Sequence, residues 1–193
     1  MTLSDLLLEN NTGTGIVPVA YRGNTGGIAI GYNGLSRNIS SPPHVNLSNC
    51  ILHNNSALAT SRLISISATA FNQVFTGRGG ALGIFVNDSY NNVSIFINNC
   101  SIENNYARSF GGGLYTLFNG NTARHTMTID KTNISSNVAF LHGGGGMQLS
   151  FLSNGIPAAP HTVIFNDCHF DSNAAEAGGG IYIFTSFQGE FEK

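Results

Sequence analysis

The sequence predicts an all-β fold, a right-handed parallel β-helix solenoid of about five coils, and three observations predict it. A short motif recurs, glycine runs recur behind it, and apolar residues between them alternate with a period of two. The motif appears as NCILHNNSA (49–57), NCSIENNYA (99–107), KTNISSNVA (131–139) and DCHFDSNAA (167–175). Each copy reads Cys or Thr, one residue, a large apolar residue, two residues, Asn, one residue, Ala. The large apolar residues are Leu52, Ile102, Ile134 and Phe170, expected to form one inward core ladder. The recurring Asn are Asn55, Asn105, Asn137 and Asn173, at intervals of 50, 32 and 36. Stacked coil on coil, their amides are expected to form a hydrogen-bonded ladder at about 4.8 Å spacing.

The alternation places each strand. Val45 and Leu47, Ile95 and Ile97, Met127 and Ile129, Val163 and Phe165 mark one face of a first strand. The parity then changes, because the next inward residues are Cys50, Cys100, Thr132 and Cys168. The extra residue falls at Ser48-Asn49, Asn98-Asn99, Asp130-Lys131 and Asn166-Asp167, so each pair is expected to be a corner. A further strand follows the glycines, at Ile28, Leu82, Leu114, Met147 and Ile181. Three strands per turn are expected. Lys131 and Asp167 occupy equivalent corner positions, and an exposed ion pair between them is expected. The glycine runs themselves, such as Gly111-Gly112-Gly113 and Gly143 to Gly146, suit a tight corner pressed against its neighbours.

One domain is expected over 1–193, with irregular coils in 1–78, regular repeats in 79–184 and a truncated end in 185–193. Arg62 to Phe71 reads as a strand whose register is not fixed. Polar stretches at Asn119 to His125 and Ser153 to His161 read as loops on one flank, the face where solenoids often bind.

Composition narrows the function classes. Hydrophobic residues make up 41% and charged residues 9%, so the chain is expected to fold. A net charge of −2 with scattered Lys and Arg argues against nucleic acid. No apolar run reaches the ~18 residues of a membrane span. Met1 to Asn11 has no basic start and no cleavage site, so it is not a signal peptide. Eight Asn-x-Ser/Thr sequons are candidate glycosylation acceptors: Asn10, Asn38, Asn46, Asn54, Asn87, Asn92, Asn99 and Asn133. Together these predict an extracellular or cell-surface location, with the chain a piece of a longer one.

No catalytic set stands out. The ten carboxylates form no Asp-Asp pair, and Leu141-His142-Gly143 is only a distant match to a catalytic His turn. His53, Glu103, Ser135 and Asp171 fall on one outward strip, with His169 beside it, and read as a solvated sheet face. Cys50, Cys100 and Cys168 share one inward register and read as core thiols, since parallel stacking gives poor disulfide geometry. No spacing suggests a metal site, and no Lys-Ser/Thr follows the glycines to make a phosphate loop. No cofactor is expected. The candidate partner is a carbohydrate or protein ligand on the loop flank.

Phe170-Asp171-Ser172-Asn173 and Gly178-Gly179-Gly180-Ile181 resemble the FxxN and GGA[ILV] repeats of the polymorphic outer-membrane autotransporters. More broadly the chain resembles the pectin-lyase-like right-handed β-helix class. Gly79-Gly80-Ala81-Leu82 matches the second motif as it stands. Leu52, Ile102 and Ile134 stand where the family has Phe, and Gly113 and Gly145 or Gly146 where it has Ala. The resemblance covers roughly residues 26–184 and implies a non-catalytic, passenger-type surface module for adhesion or scaffolding. The same fold class also contains carbohydrate-active lyases and hydrolases, which is the alternative expectation.

Overall fold

A computed structural model describes residues 1–13, 25–33, 43–58, 77–87, 91–120, 123–153 and 160–187. The predicted strand at Arg62 to Phe71 and the sequon at Asn38 lie outside the described residues. Among the described residues, twenty strands form four parallel sheets of five strands each, one strand per coil. The fold is an all-β parallel β-helix solenoid of five coils, with the right-handed winding that parallel crossovers adopt. Among the described residues no helix is long and apolar enough to cross a membrane.

Taking the third coil as the pattern, sheet A holds Ser94–Asn98, sheet B Ser101–Glu103, sheet C Tyr106–Ala107 and sheet D Leu114–Asn119. The expectation of three strands per turn is corrected to four. Sheet C escaped notice because its strand here has two residues and its inward residue is Ala. Ala57, Ala107 and Ala139 are buried, but an isolated Ala after Asn does not make an alternating pattern.

Each coil turns at single residues with left-handed backbone. Between sheets A and B these are Asp5, Asn49, Asn99, Lys131 and Asp167, with φ of 53, 54, 51, 47 and 48°. Between sheets B and C they are Asn10, Asn54, Asn104, Ser136 and Ser172, with φ of 52 to 57°. A lone left-handed residue between two extended ones bends the strand and shifts the inward parity by one. That is the parity change visible in the sequence. Asn and Asp dominate here because their short polar side chains tolerate this conformation. The corner into sheet D uses Gly111 at φ 63°, and the following Gly112 leaves no room for a Cβ against Gly145 and Val138.

The first coil starts at once. Leu3 pairs in register with Leu47, Leu8 with Leu52 and Thr12 with Ser56. Leu52, Ile102, Ile134 and Phe170 are successive register partners in sheet B. The first three are fully buried, whereas Phe170 is half-buried because its coil is the last described and is covered on one side only. Burial of each full side chain contributes about 1.5–3 kcal/mol.

Lys131 and Asp167 stand at equivalent corner positions, since Asp130 pairs with Asn166 and Asn133 with His169. The expected ion pair between them does not form: both are exposed and what joins the corner is backbone, Lys131 N–H donating to Asn166 at 2.9 Å. The left-handed backbone fixes where each side chain leaves the coil, and exposed long side chains gain little from pairing.

Candidate functional site

Several side chains capable of chemistry are engaged in holding coil to coil. Asn137 is the clearest case. Its Oδ1 accepts from the Asn105 backbone N–H at 3.0 Å and from Asn105 Nδ2 at 2.9 Å. Its own Nδ2 donates to Asn173 Oδ1 at 3.0 Å and to the Ile102 carbonyl at 2.8 Å. Asn55 and Asn105 repeat this arrangement, and Asn173 Nδ2 reaches the Ile134 carbonyl at 2.7 Å. Asn11, which the sequence reading left out, adds a fifth rung by donating to Asn55 Oδ1 at 2.9 Å. The spacing Leu6-x-Leu8-x-x-Asn11 was the available signal.

The outward strip of sheet B brings Glu9, His53, Glu103, Ser135 and Asp171 into one register. Glu103 is not poised for acid–base work, because its Oε1 accepts from Ser101 Oγ and, at 2.7 Å, from Asn133 Nδ2. His53 Nε2 meets Asn104 Nδ2 at 3.0 Å. Among the described residues, no group of three His, Cys, Asp or Glu is placed to hold a metal ion.

The cysteines are free and stack with Thr132. Cys100 Sγ accepts the Cys50 backbone N–H at 3.4 Å, and Thr132 Oγ1 accepts that of Cys100 at 3.3 Å. Burial pushes the Cys100 thiol up to about 11, opposed by the Cys50 backbone N–H and helped by the Cys50 thiol. Such a thiol is a poor nucleophile.

Two histidines sit where sheet D passes into sheet A, and sequence reasoning missed them as a pair. His125 Nδ1 accepts the Val93 backbone N–H at 3.2 Å, and His161 Nδ1 accepts that of His125 at 3.2 Å. Their rings stack at 5.0 Å and 3°, with Phe118 and Phe151 stacked beside them. Burial lowers the pKa of His161, which keeps its ring neutral and its Nδ1 an acceptor. The signal was the repeated His-Thr before Met127 and Val163.

The sequons fall in unlike places. Asn10 and Asn54 are exposed at the corner between sheets B and C, and Asn87 and Asn92 are also exposed. Asn46 is half-buried. Asn99 Nδ2 donates to Asn49 Oδ1 at 2.9 Å, and half-buried Asn133 donates to Glu103, so these two amides hold structure.

The outer flank between sheets C and D gathers a buried cation, aromatic rings and a buried amide. Arg78 stands just before Gly79-Gly80, in the register that Phe110 fills in the next coil. It is 9% exposed. Its guanidinium carbon lies 5.7 Å from the centre of the Phe110 ring and 5.2 Å from that of Tyr115. Nη1 donates to Tyr115 Oη at 3.2 Å, while Nε has no hydrogen-bond partner. Phe110 stacks on His142 at 4.8 Å, and Phe85 leans on Tyr115 at 5.6 Å. Gln148, the register partner of Tyr115, is buried; its Nε2 donates to Ser150 Oγ at 3.1 Å and its Oε1 has no partner.

Comparison with protein-family models, curated proteins and solved structures finds no match.

Proposed function

We propose that the chain is a non-catalytic extracellular or cell-surface β-helix module used for adhesion or scaffolding. The observation that carries the reading is the engagement of the reactive side chains. Glu103, the stacked His125 and His161, and the thiols of Cys50 and Cys100 are all bound into coil-to-coil contacts. General acid–base catalysis needs a titratable group within reach of substrate and free to exchange a proton. What the stack offers instead is a rigid rod with a cation–aromatic flank. The resemblance to pectin-lyase-like and autotransporter passenger repeats supports a surface role, and the sequons support passage through a secretory compartment. The test is incubation with pectin, alginate and glycosaminoglycans, following new chain ends, alongside retention on surfaces coated with the same polymers. Retention without new chain ends is expected. Clear turnover would overturn the reading in favour of a carbohydrate-active enzyme.

A further inference from the structure

We propose that the corner between sheets D and A in the first two coils binds a small neutral aromatic molecule of one or two rings. The inference goes beyond the surface-module reading and does not depend on it.

Higher in the solenoid this corner is filled by a column of rings. Phe118 stacks with His125 at 5.3 Å and Phe151 with His161 at 5.4 Å. Phe118 and Phe151 are register partners, and their rings lie 5.5 Å apart at 19°. The column follows the rise from coil to coil, so the corner is shaped for flat rings. Below Phe118 the same register holds Val86 and then Tyr32. Below His125 stand Val93 and then Pro43, since the carbonyls of Pro43, Val93 and His125 accept in turn from Ser94, Thr126 and Thr162. Two rings thus give way to two valines one coil earlier. Among the described residues, a cavity of about 350 Å³ opens at this lower corner, lined by Met1, Ile30, Tyr32, Pro43, Val45 and Val93. An apolar cavity of ~150 Å³ already admits benzene, so this one has room for one or two rings.

Gly31 points independently to the same place. It stands inside the strand Ile28–Asn33 and lines the cavity. Its backbone is not left-handed, and a Cβ there would meet nothing within 4 Å among the described residues. Its register partners are Phe85 and Leu117, both large. Neither backbone nor packing therefore calls for glycine, which weakens a strand interior and marks places where something else comes close. What the missing side chain leaves is an open approach to the cavity. The lining sets the class of ligand. Ile30, Val45 and Val93 are buried and apolar, and the Met1 thioether suits contact with an aromatic ring. No Asp, Glu, Lys or Arg lines the space, so a charged ligand would lose its water without gaining a partner.

The test is an NMR titration of the intact chain, read at the methyl groups of Ile30, Val45 and Val93. Three probes are used: indole, octanol, and a glycine pentapeptide with a central phenylalanine. Saturable shifts with indole are expected at about 1 mM or below, with nuclear Overhauser contacts from its ring protons to these methyls. Gly31→Leu narrows the approach and is expected to weaken indole about tenfold or more. Because a Cβ has room at that position, its urea midpoint is expected at or above that of the wild type. Val93→Phe carries a ring into the cavity and is expected to abolish binding. Should that variant fail to fold, the wild-type contacts and Gly31→Leu decide the matter without it. Absence of shifts up to about 10 mM indole would overturn the proposal. So would octanol binding as tightly at the same methyls, the pentapeptide binding more tightly than indole, or undiminished indole binding in Gly31→Leu.

Discussion

Removing one amide from the middle of the Asn ladder tests what holds the coils together. Asn137→Ala deletes four hydrogen bonds at a position of 0% exposure. Asn173 Oδ1 keeps a donor, the Asn137 backbone N–H at 3.0 Å. The Asn105 backbone N–H, one Asn105 Nδ2 proton and the Ile102 carbonyl lose theirs in a site closed to water. At roughly 1–3 kcal/mol for each of these three orphaned buried groups, the loss is about 3–9 kcal/mol. That is a large part of the 5–15 kcal/mol typical of a whole domain. Asn173→Ala is the matched comparison. Its site is half-buried, so water replaces part of what is lost, and about 1–2 kcal/mol is expected. The assay is urea unfolding followed by circular dichroism, with both midpoint and slope compared, since a solenoid can unfold coil by coil. If Asn137→Ala lies within about 1 kcal/mol of the wild type, or costs no more than Asn173→Ala, the ladder is ornament and the argument from orphaned groups fails.

Four further outcomes are expected. Ile134→Ala costs about 2–5 kcal/mol in the same assay, and Phe170→Ala costs less than a buried Phe normally would, because Phe170 is covered on one side only. Lys131→Asn raises the urea midpoint by the equivalent of about 0.5–1 kcal/mol, because it relieves a Lys held at φ 47°. Stability falls as pH drops below the ordinary His range near 6.5, because the unfolded chain takes up a proton that folded His161, with its lowered pKa, resists; thermal melts of wild type and His161→Gln between pH 5 and 8 should show a shallower slope in the variant. In the native protein Cys168, half-buried, reacts with a thiol reagent at pH 8 well before Cys100, whose pKa stands at about 11; equal rates would contradict the buried thiol stack.

The parts of the fold legible in the sequence are those that repeat with a strong physical signature. A left-handed corner favours Asn, Asp or Gly and shifts the alternation by one, so both the corners and the facing of Leu52, Ile102 and Ile134 can be read directly. The parts that were not legible repeat weakly. Sheet C shows little more than an inward Ala per coil, and the first coil has Leu6 where later coils have Cys or Thr. Its second corner, at Asn10, carries the same left-handed signature as Asn104 but lacks a glycine run close behind it.

The candidate site lies beyond such reading for a deeper reason. A repeat search collects what successive coils share, and what they share is what stacking requires. Arg78 has no such counterpart: the equivalent position holds Phe110 in the next coil. Ladder positions gain from identity, because like amides bond like amides and like apolar groups pack in rows. Arg78, Phe110 with Tyr115, and Gln148 break that identity along three successive coils. In this solenoid, then, architecture is read where the coils agree, and buried polar residues that break the agreement, such as Arg78 and Gln148, are what a search for repeats passes over.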